Sequence, residues 1–386
     1  MDLPDHSQPR PFLGLSILGF CLLAFVIQTE VTQYLQKNLD FKSPYFILWF
    51  SHSFYMLVFP LDMISRKVLG KSSFKRSYES LQEQVEGLER EGFGESHALQ
   101  GNLFYFGRIV FVISLALTSG AYLWYVAVGL TSMSSLTAIY NTSCFFAYLF
   151  SVYGGLESFN RMKALSVILS IIGVVIITAF GESTGQQASF VGNLFGAISA
   201  VLIGLFEVIY KKFAVSSKSP TSLMANFVTS YIGMVTFGLF WLPLPFLHLT
   251  GLEPFSFPVG SSLTLLMVNA LMGVLYNAGL MLLISVTSPV FASVGVMTTI
   301  PAIAVVDSIF LKKSLTSNVL LGGAVIALGF LVLTRETLAE HSTKTRLLRD
   351  QTNLPEDEAT LPDNSHGYSQ VLPQDDSPES THVGYS

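Results

Sequence analysis

Apolar residues run through this chain in long stretches separated by short polar connections, and the stretches have the length that a bilayer demands. A helix needs about 20 mostly apolar residues to cross the hydrocarbon core, where every backbone N–H and C=O must be bonded within the segment. Runs meeting that standard fall near residues 12–34, 44–63, 106–129, 132–153 and 163–181, then near 191–213, 223–246, 261–284, 288–311 and 317–334. The pattern predicts an all-α membrane protein of ten transmembrane helices. Two segments interrupt it. One is the connection 64–103, where Leu81, Val85 and Leu88 share a helical face among Glu and Gln, a spacing that fits either a short surface helix or a plain linker. The other is the stretch 335–386, rich in Asp, Pro, Ser and Thr, which reads as a disordered tail.

The run pattern repeats. Shifting the chain by 156 residues lays Thr131-Ser132 on Thr287-Ser288, Thr142 on Thr298, Ser158 on Ser314, Leu165 on Leu321, Gly173 on Gly329 and Thr178 on Thr334. The front of each half aligns at an offset of 177 instead, where Glu30-Val31 meets Glu207-Val208. The difference of 21 residues (177 − 156) is about the excess length of the 64–103 connection over its counterpart near 247–260. The chain therefore divides into a short N-terminus 1–11, a first half 12–181, a second half 191–334 and the tail. With five helices per half, an odd number, the halves enter the membrane in opposite senses, which makes a 5+5 inverted repeat. Such symmetry gives two arrangements of similar energy, and alternating access is the exchange between them.

Composition and charge sharpen this reading. Residues are 51% hydrophobic and 12% charged, against roughly a quarter charged in soluble domains. With both termini on one side, 16 Lys and Arg residues of the flanks lie on that side, among them Arg66, Lys67, Arg161, Lys163, Lys211 and Arg335, and four, Lys37, Lys42, Lys312 and Lys313, lie opposite, while Arg108 falls within the run 106–129. Positive charge stays cytosolic, so both termini are expected in the cytosol. The net charge of −5 arises partly from the acidic tail and says nothing about nucleic acid, but the lack of a basic groove interleaved with aromatics argues against it as a partner; the expected partners are the lipid bilayer and a small-molecule substrate. Cys21 and Cys144 sit inside apolar runs and build neither a disulfide framework nor a metal site. His52 is the only histidine in a span, and no P-loop spacing occurs, so no cofactor, metal, enzymatic or ATP-driven chemistry is expected.

Ionisable groups inside hydrocarbon cost about 2.5–3.5 kcal/mol at a helix centre, so each calls for a reason. Glu30, Glu207 and Asp307 stand out, the first two related by the repeat. They are expected either to line a central cavity, binding a polar or cationic solute or exchanging a proton, or to sit near helix ends and reach the headgroups. Gln33 and Tyr34 beside Glu30, and Tyr210 beside Glu207, join them as candidate substrate contacts. Asn269, Gly273 and Asn277 follow at four-residue steps with Tyr276 alongside, a polar stripe that lipid would not accept cheaply. Tyr140, Asn141 and Thr142, with Thr298 symmetry-related, form a second candidate wall. By contrast, the stripes Gly192, Gly196, Ala200 and Gly204, Ser166, Ser170 and Gly173, and Gly322, Gly323 and Gly329 read as helix packing.

These features resemble a known family. Leu156-Glu157-Ser158 followed by a Gly-containing helix ending Gly173-Val174-Val175-Ile176-Ile177-Thr178 is similar to the EamA-like drug/metabolite transporter superfamily. Thr29-Glu30-Val31-Thr32-Gln33-Tyr34-Leu35, Ser43-Pro44-Tyr45-Phe46 and Asn141-Thr142-Ser143 resemble more narrowly the F branch of solute carrier family 35 and its fungal vacuolar and thiamine-repressible relatives. The resemblance implies a secondary transporter of a small polar metabolite, a thiamine-like cation or a nucleotide sugar, in an internal membrane. A vacuolar membrane is the first expectation, and the Golgi or endoplasmic reticulum the alternative. It also implies that helices 5 and 10 pack together and can join protomers, which leaves both a monomer and a homodimer open. One departure is Leu311-Lys312-Lys313-Ser314, where many members carry Glu after helix 9. Tyr368-Ser369-Gln370-Val371 fits a tyrosine-based sorting pattern. Since fold does not fix function, a non-transporting membrane scaffold or receptor is the competing reading.

Overall fold

A computed structural model describes residues 11–41, 43–70, 72–93, 103–131, 133–179, 190–215, 221–255, 257–298 and 317–352. Among these the chain is all-helical. The helices are α1 (Pro11–Lys37), α2 (Pro44–Ser53), α3 (Val58–Val68), α4 (Phe74–Phe93), α5 (Leu103–Leu130), α6 (Met133–Tyr140) and α7 (Ser143–Tyr153). They continue with α8 (Arg161–Ala179), α9 (Phe190–Ala214), α10 (Ser222–Leu239), α11 (Pro243–Leu249), α12 (Ser261–Val286), α13 (Pro289–Met297) and α14 (Ser317–Thr352). A 3₁₀ turn at Phe54–Leu57 joins α2 to α3.

Seven stretches are long and apolar enough to cross a membrane: Ser16–Gln36, Pro44–Val68, Phe106–Leu130, Phe190–Ala214, Ser222–Leu239, Ser261–Val286 and Leu320–Glu340. The chain is a multi-pass membrane protein. Large side chains such as Leu115, Ile168, Ile172, Leu194, Ile198, Leu328 and Leu331 remain exposed on helix faces, which hydrocarbon covers at no cost. Interior packing is reciprocal: α1 lies along α12 and also meets α13, while α9 lies along α5 and also meets α7.

Small residues set the closest approaches. A side chain at Gly204 on α9 would strike the Ala147 nitrogen at 2.8 Å and the Ser143 carbonyl at 2.9 Å on α7. Gly173 and Gly322 hold α8 and α14 backbone to backbone, since a Cβ on either comes within 2.7 Å of the other's carbonyl. Two lysines at the end of α9 then tie neighbouring helix ends, where unpaired carbonyls attract cations. Lys211 donates to the Ile284 and Ser285 carbonyls of α12 at 3.0 and 2.7 Å, and Lys212 to the Gly154 carbonyl after α7 at 2.8 Å.

Several boundaries differ from those expected. The run 223–246 is two helices, because Pro243 disfavours helical geometry at the residue before it and has no N–H to continue the ladder; α10 stops at Leu239 and α11 starts at Pro243. The run 132–153 is also two helices, broken at Asn141-Thr142. Within the 64–103 connection, α4 is a full 20-residue helix, not a short one, and Leu81, Val85 and Leu88 are buried against the bundle. Helix α14 continues to Thr352 beyond the expected limit at 334, with residues from Glu340 belonging to a separate unit. Only Pro289–Met297 of the run 288–311 is a described helix; Asp307, Lys312 and Lys313 lie outside the described residues.

Candidate functional site

The interior polar groups are built outward from α12. Asn269 is fully buried. Its carbonyl accepts the Thr32 hydroxyl of α1 at 2.8 Å, and its amide donates to Ser51 of α2 at 2.8 Å. Two turns along, the Asn277 amide donates to the Tyr55 hydroxyl at 2.6 Å. Gly273 leaves the space between them open: a Cβ there would stand 3.1 Å from Gln28 Nε2 and 3.8 Å from the Tyr55 oxygen. Gln28 reaches the Tyr125 hydroxyl of α5 at 3.5 Å, and Tyr125 lies within hydrogen-bonding range of Asn269 and Thr32 as well. The imidazole of His52 stacks on Tyr55 at 4.7 Å and leaves its buried Nδ1 without a partner.

Tyr276, on the same face of α12, links this amide cluster to the acid. Its ring packs on Phe25 at 4.9 Å, and it lies in electrostatic range of Tyr55, Tyr140 and Glu207. Tyr140, at the end of α6, rests near Trp124 at 6.2 Å and also interacts with Glu207 and Tyr125. Glu207 itself is 3% exposed and accepts a hydrogen bond from Ser293 of α13. Among the described residues no basic side chain pairs with it. A carboxyl with a hydroxyl and phenols for company, inside hydrocarbon, is costly to keep charged. It is therefore disposed to trade a proton or to meet a cationic or hydrogen-bonding solute.

Of the residues singled out by sequence, the structure brings together Tyr140, Glu207, Asn269, Tyr276 and Asn277. It places Glu30, Gln33 and Tyr34 elsewhere, lining an open cleft of about 410 Å³ with Val31, Asn38 and Leu265. The repeat-related pair thus has unlike surroundings, Glu30 exposed and Glu207 buried. Thr32 and Asn269 lie one residue and one turn from Val31 and Leu265, so their bond separates the cleft from the interior cluster. Tyr210 spends its hydroxyl on the Met281 carbonyl at 3.1 Å, tying α9 to α12. Asn141 and Thr142 mark the α6–α7 break, where the Thr142 hydroxyl bonds the Ile139 carbonyl at 2.6 Å with φ −66° and ψ −9°. Thr298 ends α13 in the same way: its hydroxyl bonds the Gly295 carbonyl at 2.6 Å with φ −66° and ψ −11°. Among the described residues no group of three His, Cys, Asp or Glu side chains is placed to hold a metal ion.

The residues overlooked in sequence are Gln28, Thr32, Ser51, Tyr55, Tyr125 and Ser293. A signal existed for four of them, since Gln28 with Thr32 and Ser51 with Tyr55 stand at four-residue steps on single helix faces.

No family model matches the chain. It is 22% identical to an uncharacterized vacuolar membrane protein of Saccharomyces cerevisiae over 85% of this chain and 91% of that protein. It is 24% identical to an uncharacterized transporter of Schizosaccharomyces pombe over 83% and 95%. A thiamine-repressible mitochondrial transport protein of Saccharomyces cerevisiae matches at 26% over 55% of this chain and 60% of its own length. Solute carrier family 35 member F3 of Mus musculus matches at 24% over 84% and 73%. One solved crystal structure superposes with a TM-score of 0.53 at 13% identity, covering 84% of this chain and 97% of its own, so the fold has a precedent in a crystal.

Proposed function

From the premise that this chain is a distant homologue of the solute carrier 35 F proteins and of fungal transport and vacuolar membrane proteins, we propose that it is a secondary transporter. It moves a small polar metabolite by alternating access between two inverted five-helix halves. The buried Glu207, held by Ser293 and flanked by the Asn269–Asn277 face, carries this reading. A non-transporting scaffold has no use for an unpaired acid kept in the interior at that cost.

The halves exchange partners as the proposed repeat requires. The first helix of each half, α1 or α9, lies along the third helix of the other half, α12 or α5. The symmetry-related Thr142 and Thr298 end their helices with matching geometry, and discontinuous helices of this kind are where transporters bind their cargo. In the present conformation the amides and hydroxyls of α1, α2, α5 and α12 are bonded to one another. A solute entering from the Glu30 cleft would replace those bonds with its own polar groups and leave on the opposite side after the halves rock.

The name of the S. cerevisiae relative supports a vacuolar membrane as the site of action, with both termini in the cytosol. Purified protein in liposomes tests the reading against a panel of thiamine, nucleotide sugars, amino acids and nucleobases. Saturable uptake of one of them is expected, together with a loss of at least about tenfold in Glu207→Gln protein that remains folded. Silence across the panel from folded protein, or full activity of the variant, overturns it.

A further inference from the structure

Away from the interior cluster, one more acid is buried among the described residues. Glu253 belongs to the connection between α11 and α12, which turns on Gly251 and Gly260 with φ of 72° and 61°, values that side chains rarely tolerate. The connection curls inward, and Glu253 ends 8% exposed. One carboxylate oxygen accepts the Tyr45 backbone N–H at 2.9 Å, in the first turn of α2, and the other accepts the Tyr122 hydroxyl of α5 at 3.0 Å. The two phenol rings meet edge to face at 5.0 Å, and the Tyr45 hydroxyl donates to the Phe240 carbonyl at the end of α10 at 2.8 Å. Ser43, 4% exposed, lies beneath the connection with its hydroxyl toward the Pro254 carbonyl at 3.4 Å. Glu253 thus fastens the connection to two helices, and Tyr45 carries the link on to α10, at the end of the bundle where the Glu30 cleft opens between α1 and α12.

We propose that Glu253 is the latch of a gate at this end: its carboxyl holds the α11–α12 connection onto α2 and α5 and lets go when the two halves exchange conformations, a role that rests on the transport reading above. A gate must be stable enough to close and weak enough to open. Two hydrogen bonds to one acid satisfy this better than an apolar seal, because water replaces both as soon as the connection lifts.

The latch also senses protons. Burial pushes the Glu253 carboxyl above its ordinary range, and the Tyr45 N–H and the Tyr122 hydroxyl pull it back only in part. The ionisable groups that face it are Tyr45 on α2 and Tyr122 on α5; the Nδ1 of His248 on α11 accepts the Phe255 N–H at 3.0 Å. Among the described residues no cation pairs with it; Lys42, beside Ser43 in sequence, lies outside them. The carboxyl holds its proton more tightly when latched than when released into water. The proton's contribution is therefore complete below the ordinary carboxylate pKa and is lost as pH rises through the raised value. Acid closes the gate and alkali loosens it.

The test is thiol accessibility in nanodiscs, which needs no solute, so its failure is distinct from a failure of uptake. Ser43→Cys is placed in a chain whose buried Cys21 and Cys144 are replaced by Ala. Its labelling by an impermeant maleimide is followed from about pH 5 to pH 8, a range above the ordinary carboxylate value. The rate is expressed relative to the Glu253→Gln protein at the same pH, which cancels the thiol's own titration. Glutamine is neutral; its amide oxygen accepts the Tyr45 N–H and its NH2 donates to the Tyr122 hydroxyl, as the protonated acid would, so it stays latched. The wild-type ratio is expected to rise at least about tenfold with pH, the change that follows when the latched carboxyl binds its proton about tenfold more tightly than the released one. Glu253→Ala labels fast throughout. A ratio flat in pH, or a glutamine variant that labels as fast as alanine, overturns the latch; if the alanine protein does not fold, the ratio of wild type to glutamine still decides.

Discussion

At the residue scale, the cost of an unpaired polar atom explains where the interior groups sit. Asn269 spends both ends of its amide across the interface of α1, α2 and α12. Replacing it with Leu leaves Thr32 and Ser51 without that partner. The expected loss is about 1–2 kcal/mol of stability, read as a lower unfolding midpoint in detergent, with a larger proportional loss of uptake. An unchanged midpoint and unchanged uptake together would show that Asn269 holds nothing. This stripe was legible because Asn269, Gly273 and Asn277 repeat at four residues without competing apolar side chains. Its partners were harder to see: Thr32 and Ser51 are small hydroxyls that lipid-facing helices also carry, and nothing in the sequence says which face turns inward. Glu253 was invisible for a different reason. An acid in a Gly- and Pro-containing connection reads as solvated, and only the inward curl of that connection buries it.

At the scale of elements, hydropathy located the apolar runs but not their breaks. A hydropathy run is blind to the difference between a continuous helix and two helices meeting at Thr142, because Tyr140, Asn141 and Thr142 lie among residues apolar enough to sustain it. The stop at Leu239 had a readable cause in Pro243, and the burial of α4 had one in Leu81, Val85 and Leu88. Small-residue stripes, by contrast, translate directly into contacts. At Gly322 a side chain would meet the Gly173 carbonyl at 2.6 Å and Ile177 at 2.5 Å. Gly322→Leu must therefore force α8 and α14 apart, and backbone has no way to give. Folded yield is expected to fall severalfold, consistent with overpacking costs of about 1–3 kcal/mol or more, whereas Gly19→Ala on α1, where a Cβ meets nothing within 4 Å, is tolerated. Equal yields would place α14 elsewhere.

At the scale of the whole molecule, the repeat found in sequence was faint in identities and clearer in placement. The offset of 156 residues lays Thr142 on Thr298, and both threonines make the same hydroxyl bond with nearly the same backbone angles. The offset of 177 lays Glu30 on Glu207, yet one faces an open cleft and the other is enclosed. A molecule made of two equivalent halves, caught in one of two exchangeable conformations, has this property: residues related by the repeat need not have equivalent surroundings at the same moment. Under the proposed alternating access the asymmetry of the two acids is a snapshot, and the second conformation would enclose the first half's face while opening the second's.

The most direct test of that claim is a distance across the cleft. Spin labels at Asn38 on the α1 side and Leu265 on α12, both lining it, are measured by pulsed electron resonance in nanodiscs. Two coexisting distances are expected, because the proposed inverted halves would make the two conformations close in energy, with the shorter one gaining weight in acid as the proposed Glu253 gate closes. A single narrow distance, unmoved by pH and by every solute of the panel, would contradict alternating access in this chain.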